Sequence, residues 1–141
     1  MLRGLVNFDL KELSRKFGQR AFIRFTVPGA AVSWMPEGQD SFIEDSIPLS
    51  DISRGGLSFL SNDPPTVGSG IFVHIFLPQN KETLELLGRV VYSIPRGPGL
   101  IYRYRVGIEL KSFVQAEDGN PPQSLKVIEA FENKFATRRR D

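Results

Sequence analysis

The chain has 141 residues, no cysteine and a formal net charge of +2, a size that fits one domain able to bury roughly 68–70% of the surface its unfolded chain exposes. Lack of cysteine excludes disulfides, thiolate metal sites and a thiol nucleophile, and is compatible with a reducing cytosol. The first residues, Met1 to Asp9, lack the continuous apolar core of a signal peptide, and no later run approaches the roughly 18 apolar residues of a membrane span, so a cytoplasmic protein with no membrane span is expected.

The small net charge is unevenly placed. Arg3, Lys11, Arg15, Lys16, Arg20 and Arg24 face only Asp9 and Glu12 over the first 24 residues, a local positive field that favours an anionic partner. In chain order, Leu10, Leu13 and Phe17 recur at helical spacing after an Asp9 N-cap, and Gly18 supplies a stop, so a short helix is predicted over residues 9–17. Residues 22–27 (FIRFTV) are aromatic and β-branched and end at Pro28-Gly29, after which residues 30–34 resume an extended pattern, as one kinked strand or two strands around a bulge. A turn at residues 37–40 precedes residues 42–49, which lead into the polar, glycine-rich stretch Asp51-Ile52-Ser53-Arg54-Gly55-Gly56.

Residues 56–60 form the next predicted strand, closed by Asn62-Asp63-Pro64-Pro65. In residues 70–78, Ile71, Val73, Ile75 and Leu77 alternate with Phe72, His74 and Phe76, so both faces of this strand require cover. Residues 84–94 read as a strand with a bulge at Gly88, and residues 100–110 pair with it as a hairpin across Pro95-Arg96-Gly97-Pro98-Gly99. After a polar linker, Ser124 is placed to cap a helix whose Leu125, Ile128, Phe131 and Phe135 form an apolar stripe, expected to cover an open end of the fold or the face bearing Phe72 and Phe76. Short strands with regular turn signals predict a mainly all-β barrel or sandwich. Arg138, Arg139 and Arg140 read as a solvated basic tail.

Two stretches carry chemistry. In Asp51 to Gly56, a carboxylate, a hydroxyl and adjacent glycines that permit positive φ and close approach suit a small polar ligand, although the same residues are ordinary turn formers. Arg20 and Arg24 stand four residues apart, and a pair of planar, permanently charged guanidiniums forks onto phosphate, binds the O6/N7 edge of guanine and stacks on ring faces. The pair therefore suits a ligand with phosphate and purine together.

With RxxxR at Arg20 to Arg24 and DxSxxG at Asp51, Ser53 and Gly56, the chain resembles the PilZ domain family, the bacterial cyclic di-GMP receptors. The resemblance runs over roughly residues 20–112, including Phe76-Leu77-Pro78, Gly88-Arg89-Val90-Val91 and Arg105-Val106-Gly107-Ile108. It implies a six-stranded antiparallel β-barrel over residues 20–114, preceded by an N-terminal helical segment and switch loop (1–19) and followed by a linker and C-terminal helix with a basic tail (115–141). It further implies that Arg20 and Arg24 engage phosphate and guanine, that Asp51 accepts from a guanine N–H edge, that Ser53 bonds base or phosphate, that Gly56 keeps the turn tight and that Gly55 helps the ligand approach. Arg20 and Arg24 are preferred over the shifted pair Lys16 and Arg20, because residues 25–28 then fall where the family's first strand begins; Arg15 and Lys16 are candidates for auxiliary phosphate contacts.

The resulting expectation is a non-catalytic cyclic di-GMP receptor, monomeric or dimerised through its ligand, signalling to an unidentified protein partner through ordering of the N-terminal RxxxR segment. No metal or other cofactor is expected, and no catalytic residue is assigned: His74, the single histidine, lies in an apolar strand and reads as structural. The alternatives are a PilZ-fold protein-interaction adaptor and a small-barrel nucleic-acid binder resting on Tyr102-Arg103-Tyr104-Arg105, which as a solvated hairpin face is not expected to bind nucleic acid.

Overall fold

The computed structural model describes residues 22–136; the helix expected over residues 9–17 and the arginine tail lie outside them. The strands β1 (Ala31–Pro36), β2 (Glu44–Ile52), β3 (Gly56–Ser61), β4 (Gly70–Leu77), β5 (Glu82–Pro95) and β6 (Tyr104–Leu110) are followed by one helix, α1 (Pro122–Phe135). The strands close into a barrel in the order β1-β2-β3-β6-β5-β4, with every neighbouring pair antiparallel. This is the mainly all-β fold with a C-terminal helix that the sequence pattern predicts, and the six-stranded antiparallel barrel that the family resemblance implies.

Period-two alternation builds the interior. Ile71, Val73, Ile75 and Leu77 of β4, Leu84, Leu86 and Val90 of β5, and Val106, Ile108 and Leu110 of β6 are all buried and meet Leu57 and Phe59 of β3 in one core. The other face of β4 is covered differently from the expectation. Phe42, in the β1–β2 connection, stacks on His74 at 5.7 Å and on Phe72 at 6.4 Å, while Phe76 remains exposed. Of the two places expected for it, the helix takes the open end: it adds Ile128 and Phe131 to the core where β6 leaves the barrel, packing against β5.

Several boundaries differ from the sequence reading, each for a local reason. Residues 22–27 are not a strand: Phe25 makes an isolated bridge to Ile52, with Phe25 N–H donating to Ile52 O at 3.0 Å and Ile52 N–H to Phe25 O at 2.9 Å. β1 occupies that side of β2 as far as the Ala31–Pro48 pair, and Leu49 N–H donates to Ala30 O, so only the short end of β2 from Ser50 to Ile52 is left, and Phe25 bridges its last residue. The chain then breaks at Pro28-Gly29, and the first barrel strand starts at Ala31 rather than at residue 25. Asp51 and Ile52 belong to β2 and Gly56 opens β3, which shortens the turn to Ser53-Arg54-Gly55.

β6 begins at Tyr104, with residues 96–103 forming the connection from β5. The bulge in β5 falls between Val90 and Tyr92, not at Gly88. Gly88 is required by close approach, since a Cβ there would lie 2.6 Å from Glu109 O and from Ile108 Cγ2. The helix starts without a side-chain cap: Pro121 is the N-cap, Pro122 takes the first turn with its preset φ, and Ser124 lies inside.

The linker ahead of α1 is held by Asn120, buried at 1% exposure. Its Oδ1 accepts from Leu87 N–H at 2.8 Å, and its Nδ2 donates to Leu87 O and Lys111 O, both at 3.0 Å. One side chain thus imitates a strand neighbour for β5 and fixes where the helix begins.

Candidate functional site

The registers of β2, β3, β6 and β5 align Asp51, Ser58, Gly107 and Tyr92 in one row across four strands, with Asp51 paired to Ser58, Ser58 to Gly107 and Gly107 to Tyr92. Their neighbours Ile52, Leu57, Ile108 and Val90 point into the core, so the row faces outward. Bulges bound it on both sides. The register shift between Leu49 and Asp51 sets Asp51 on the outer wall, and the shift between Val90 and Tyr92 does the same for Tyr92, which strict alternation would have turned inward. Gly107 makes room for the ring: a Cβ there would stand 2.1 Å from Tyr92 Cε2.

Asp51 is the hub of the polar contacts, with its side chain 17% exposed. Its Oδ1 accepts from Arg24 Nη1 at 3.0 Å and from Ser58 Oγ at 2.8 Å, and its Oδ2 accepts from Arg105 Nη2 at 3.1 Å. Arg105 Nη2 also lies 3.3 Å from Ser58 Oγ. Two guanidiniums therefore converge on one carboxylate over a buried hydroxyl. The antiparallel bridge between Phe25 and Ile52 sets Arg24 opposite Ser53 and diagonal to Asp51 on the same face, within reach of its long side chain.

The turn beside this hub is internally bonded. Ser53 N–H donates to Gly56 O at 2.7 Å, and Ser53 Oγ accepts from Gly55 N–H at 3.2 Å. Ser53 is 3% exposed, so its hydroxyl serves the turn in this state. The glycines are needed for a reason other than positive φ, which neither adopts. A Cβ on Gly56 would meet Ile108 O at 2.6 Å, and one on Gly55 would meet the Phe22 ring at 3.0 Å. Arg54 points to α1, with Nε donating to Glu132 Oε1 at 2.9 Å and Nη1 lying 3.6 Å from Glu129 Oε2.

Arg24, Ser53, Gly55, Gly56, Tyr92, Gly107 and Glu109 border a concavity of about 210 Å³. It is smaller than the roughly 300–1,000 Å³ of pockets that enclose a drug-sized ligand, and so suits one flat group with the rest of a ligand lying on the surface. Glu109 at its rim is paired with Arg89 at 2.9 Å. Of the residues singled out from the sequence, Arg24, Asp51, Ser53, Gly55 and Gly56 come together here; Arg20, Arg15 and Lys16 fall outside the described residues.

Sequence reasoning missed Arg105 and Tyr92. The Tyr-Arg-Tyr-Arg alternation marked Arg105 as outward-facing, but its partner depended on strand register. His74 stacks on Phe42 and lies 3.9 Å from Glu85, and it does not border the concavity. Among the described residues, no group of His, Asp and Glu could hold a metal ion, and no helix is long and apolar enough to cross a membrane.

The fold and this arrangement define a class: a small closed barrel whose polar site lies on its outer wall beside a β2–β3 turn. The PilZ domain profile matches residues 19–120, and the chain belongs to that family. Among solved structures, the Bacillus subtilis inhibitor of motility (MotI/DgrA) aligns with a TM-score of 0.55 at 16% identity, covering 84% of this chain and 52% of that one. This chain thus spans about half the length of the Bacillus protein. The PilZ domain of Escherichia coli YcgR, solved with c-di-GMP, aligns with a TM-score of 0.54 at 14% identity, covering 80% of this chain and 91% of that one. At these identities the likeness is one of fold. No curated protein sequence matches the chain.

Proposed function

We propose that the chain is a non-catalytic cyclic di-GMP receptor whose ligand lies across the outer wall, between the arginines of the RxxxR segment and the Asp51–Gly56 stretch. The observation that carries this reading is the Arg24–Asp51 contact, which joins the two family motifs at the edge of a concavity floored by Tyr92 and Gly107. A guanine base fits such a floor, since a ring face stacks on an aromatic side chain, and Gly107 lets the Tyr92 ring lie close against the wall. Arg24 would leave Asp51 for phosphate or base, and Asp51, still held by Arg105 and Ser58, would accept from a guanine N–H edge. Arg20, four residues ahead, supplies the second guanidinium, with Arg15 and Lys16 as auxiliary phosphate contacts.

A ligand bridging Arg20 and Arg24 to Asp51 and Ser53 restrains the segment ahead of Phe25 and alters the surface offered to a protein partner. Differential affinity for the two arrangements is the driving term. Calorimetric titration of the full chain tests the binding: saturation at micromolar cyclic di-GMP is expected, and no heat at tens of micromolar would refute the reading. Slower hydrogen exchange over residues 1–24 with ligand is the expected sign of the signalling step, and equal exchange removes that step while leaving the binding intact.

A further inference from the structure

We propose that Arg54 and Glu132 form a latch that holds the Ser53–Gly56 turn in its binding geometry, so that α1 is a positioning element of the site. The effect on ligand rests on the cyclic di-GMP reading above; the latch itself belongs to the unliganded chain. Ser53 and Gly55 border the concavity, and Arg54 between them reaches away to the helix. The turn's own hydrogen bonds join Ser53 to Gly55 and Gly56 and leave the Arg54 side chain free to tie it to the rest of the molecule.

The restraint is well placed. Glu129 and Glu132 are three residues apart and share a helix face, so both carboxylates meet one guanidinium, at 3.6 Å and 2.9 Å. Glu132 is 9% exposed in its side chain, and the helix beneath it is seated by Ile128 and Phe131 in the barrel core. Arg54 is thereby fastened to the core through the helix, and displacing its two neighbours in the chain would strain that contact. The hydrogen bond from Leu110 N–H to Gly55 O at 3.0 Å fixes the turn on its other side. Coupling of this kind is reciprocal: ligand on the turn strengthens the seating of α1 by the factor by which seated α1 strengthens the ligand.

The test combines hydrogen exchange on the free protein with titration of cyclic di-GMP into wild type, Glu132→Gln, Arg54→Gln and the double variant. In the free protein, Glu132→Gln is expected to speed exchange at Ser53, Arg54 and Gly55 while leaving the β4 amides as they are; unchanged exchange at the turn overturns the latch. Each single variant is expected to bind about three- to fivefold more weakly, as an ion pair partly open to solvent allows, with the double variant no weaker than either single one. Additive losses would mean that Arg54 contacts the ligand directly, and a loosened turn with unchanged affinity would mean that it needs no positioning; either overturns the proposal. If wild type does not bind the dinucleotide, the functional reading fails, and exchange in the free protein alone decides the latch.

Discussion

A single carboxylate, Asp51, is flanked by Arg24 and Arg105, and its role follows from that position. The charged groups of the site satisfy one another, so a ligand must offer each group at least what it gives up. Removing a charge-assisted contact costs roughly 1.5–3 kcal/mol, about tenfold or more in affinity, and Arg24→Ala is expected to weaken cyclic di-GMP binding by that factor in calorimetry. The same substitution should disturb the fold little, since the Arg24 guanidinium is half exposed and Asp51 keeps Ser58 and Arg105. Gly56→Ala is expected to do the reverse. Its Cβ would press on a backbone oxygen that cannot swing aside, and a loss of about 1–3 kcal/mol is expected in urea unfolding. At this scale the sequence was informative about residue type and silent about pairing. Asp51, Ser53 and Gly56 stood out because turn chemistry is local, whereas Arg105 finds Asp51 across 54 residues. Tyr92 was hidden by a bulge one residue long.

Among the elements, β4 was legible almost to the residue because its alternation is uninterrupted and one face is wholly buried. Residues 22–27 show the opposite case. Their composition favours a strand, but a strand needs a free edge, and β1 leaves β2 only the short end from Ser50 to Ile52, where Phe25 makes a single bridge. Phe25 and Val27 are buried all the same, so the apolar pattern was real and the hydrogen-bond pattern was not. Asn120 is a further case in which tertiary context decides. It lies in a stretch that the sequence marks only as a polar linker, yet it makes three side-chain hydrogen bonds to Leu87 and Lys111. Asn120→Ala strands buried backbone groups and is expected to cost about 2–4 kcal/mol in urea unfolding, with the start of α1 losing hydrogen-exchange protection first.

Across the whole molecule, the Arg54–Glu132 pair ties the outer-wall turn to the C-terminal helix, and its response to pH is fixed by sign. The hydrogen bond to Glu132 raises the Arg54 pKa above its ordinary value, outweighing the opposing effect of burial; the charges of Glu132 and Glu129 add to the rise. A raised pKa contributes stability that is complete below the unfolded value and lost only as pH climbs through the folded one, both far above the working range. The stability difference between wild type and Arg54→Gln is therefore expected to stay constant from about pH 7 to about pH 10, and to shrink with added salt because Arg54 is 39% exposed in its side chain. A difference that vanished within that interval would place the contribution in another group.

Closure of the barrel carries a consequence for how a partner can be recruited. Each of the six strands has a neighbour on both sides, and the free end of β2 is taken by Phe25. Among the described residues no full-length strand edge remains for another chain to extend, so docking by strand addition is disfavoured on this wall, as is edge-to-edge aggregation. Recognition is left to side chains on the wall, to the connections between strands and to the helix. Such surfaces can change from one sequence to another without disturbing the hydrogen bonds that hold the barrel shut.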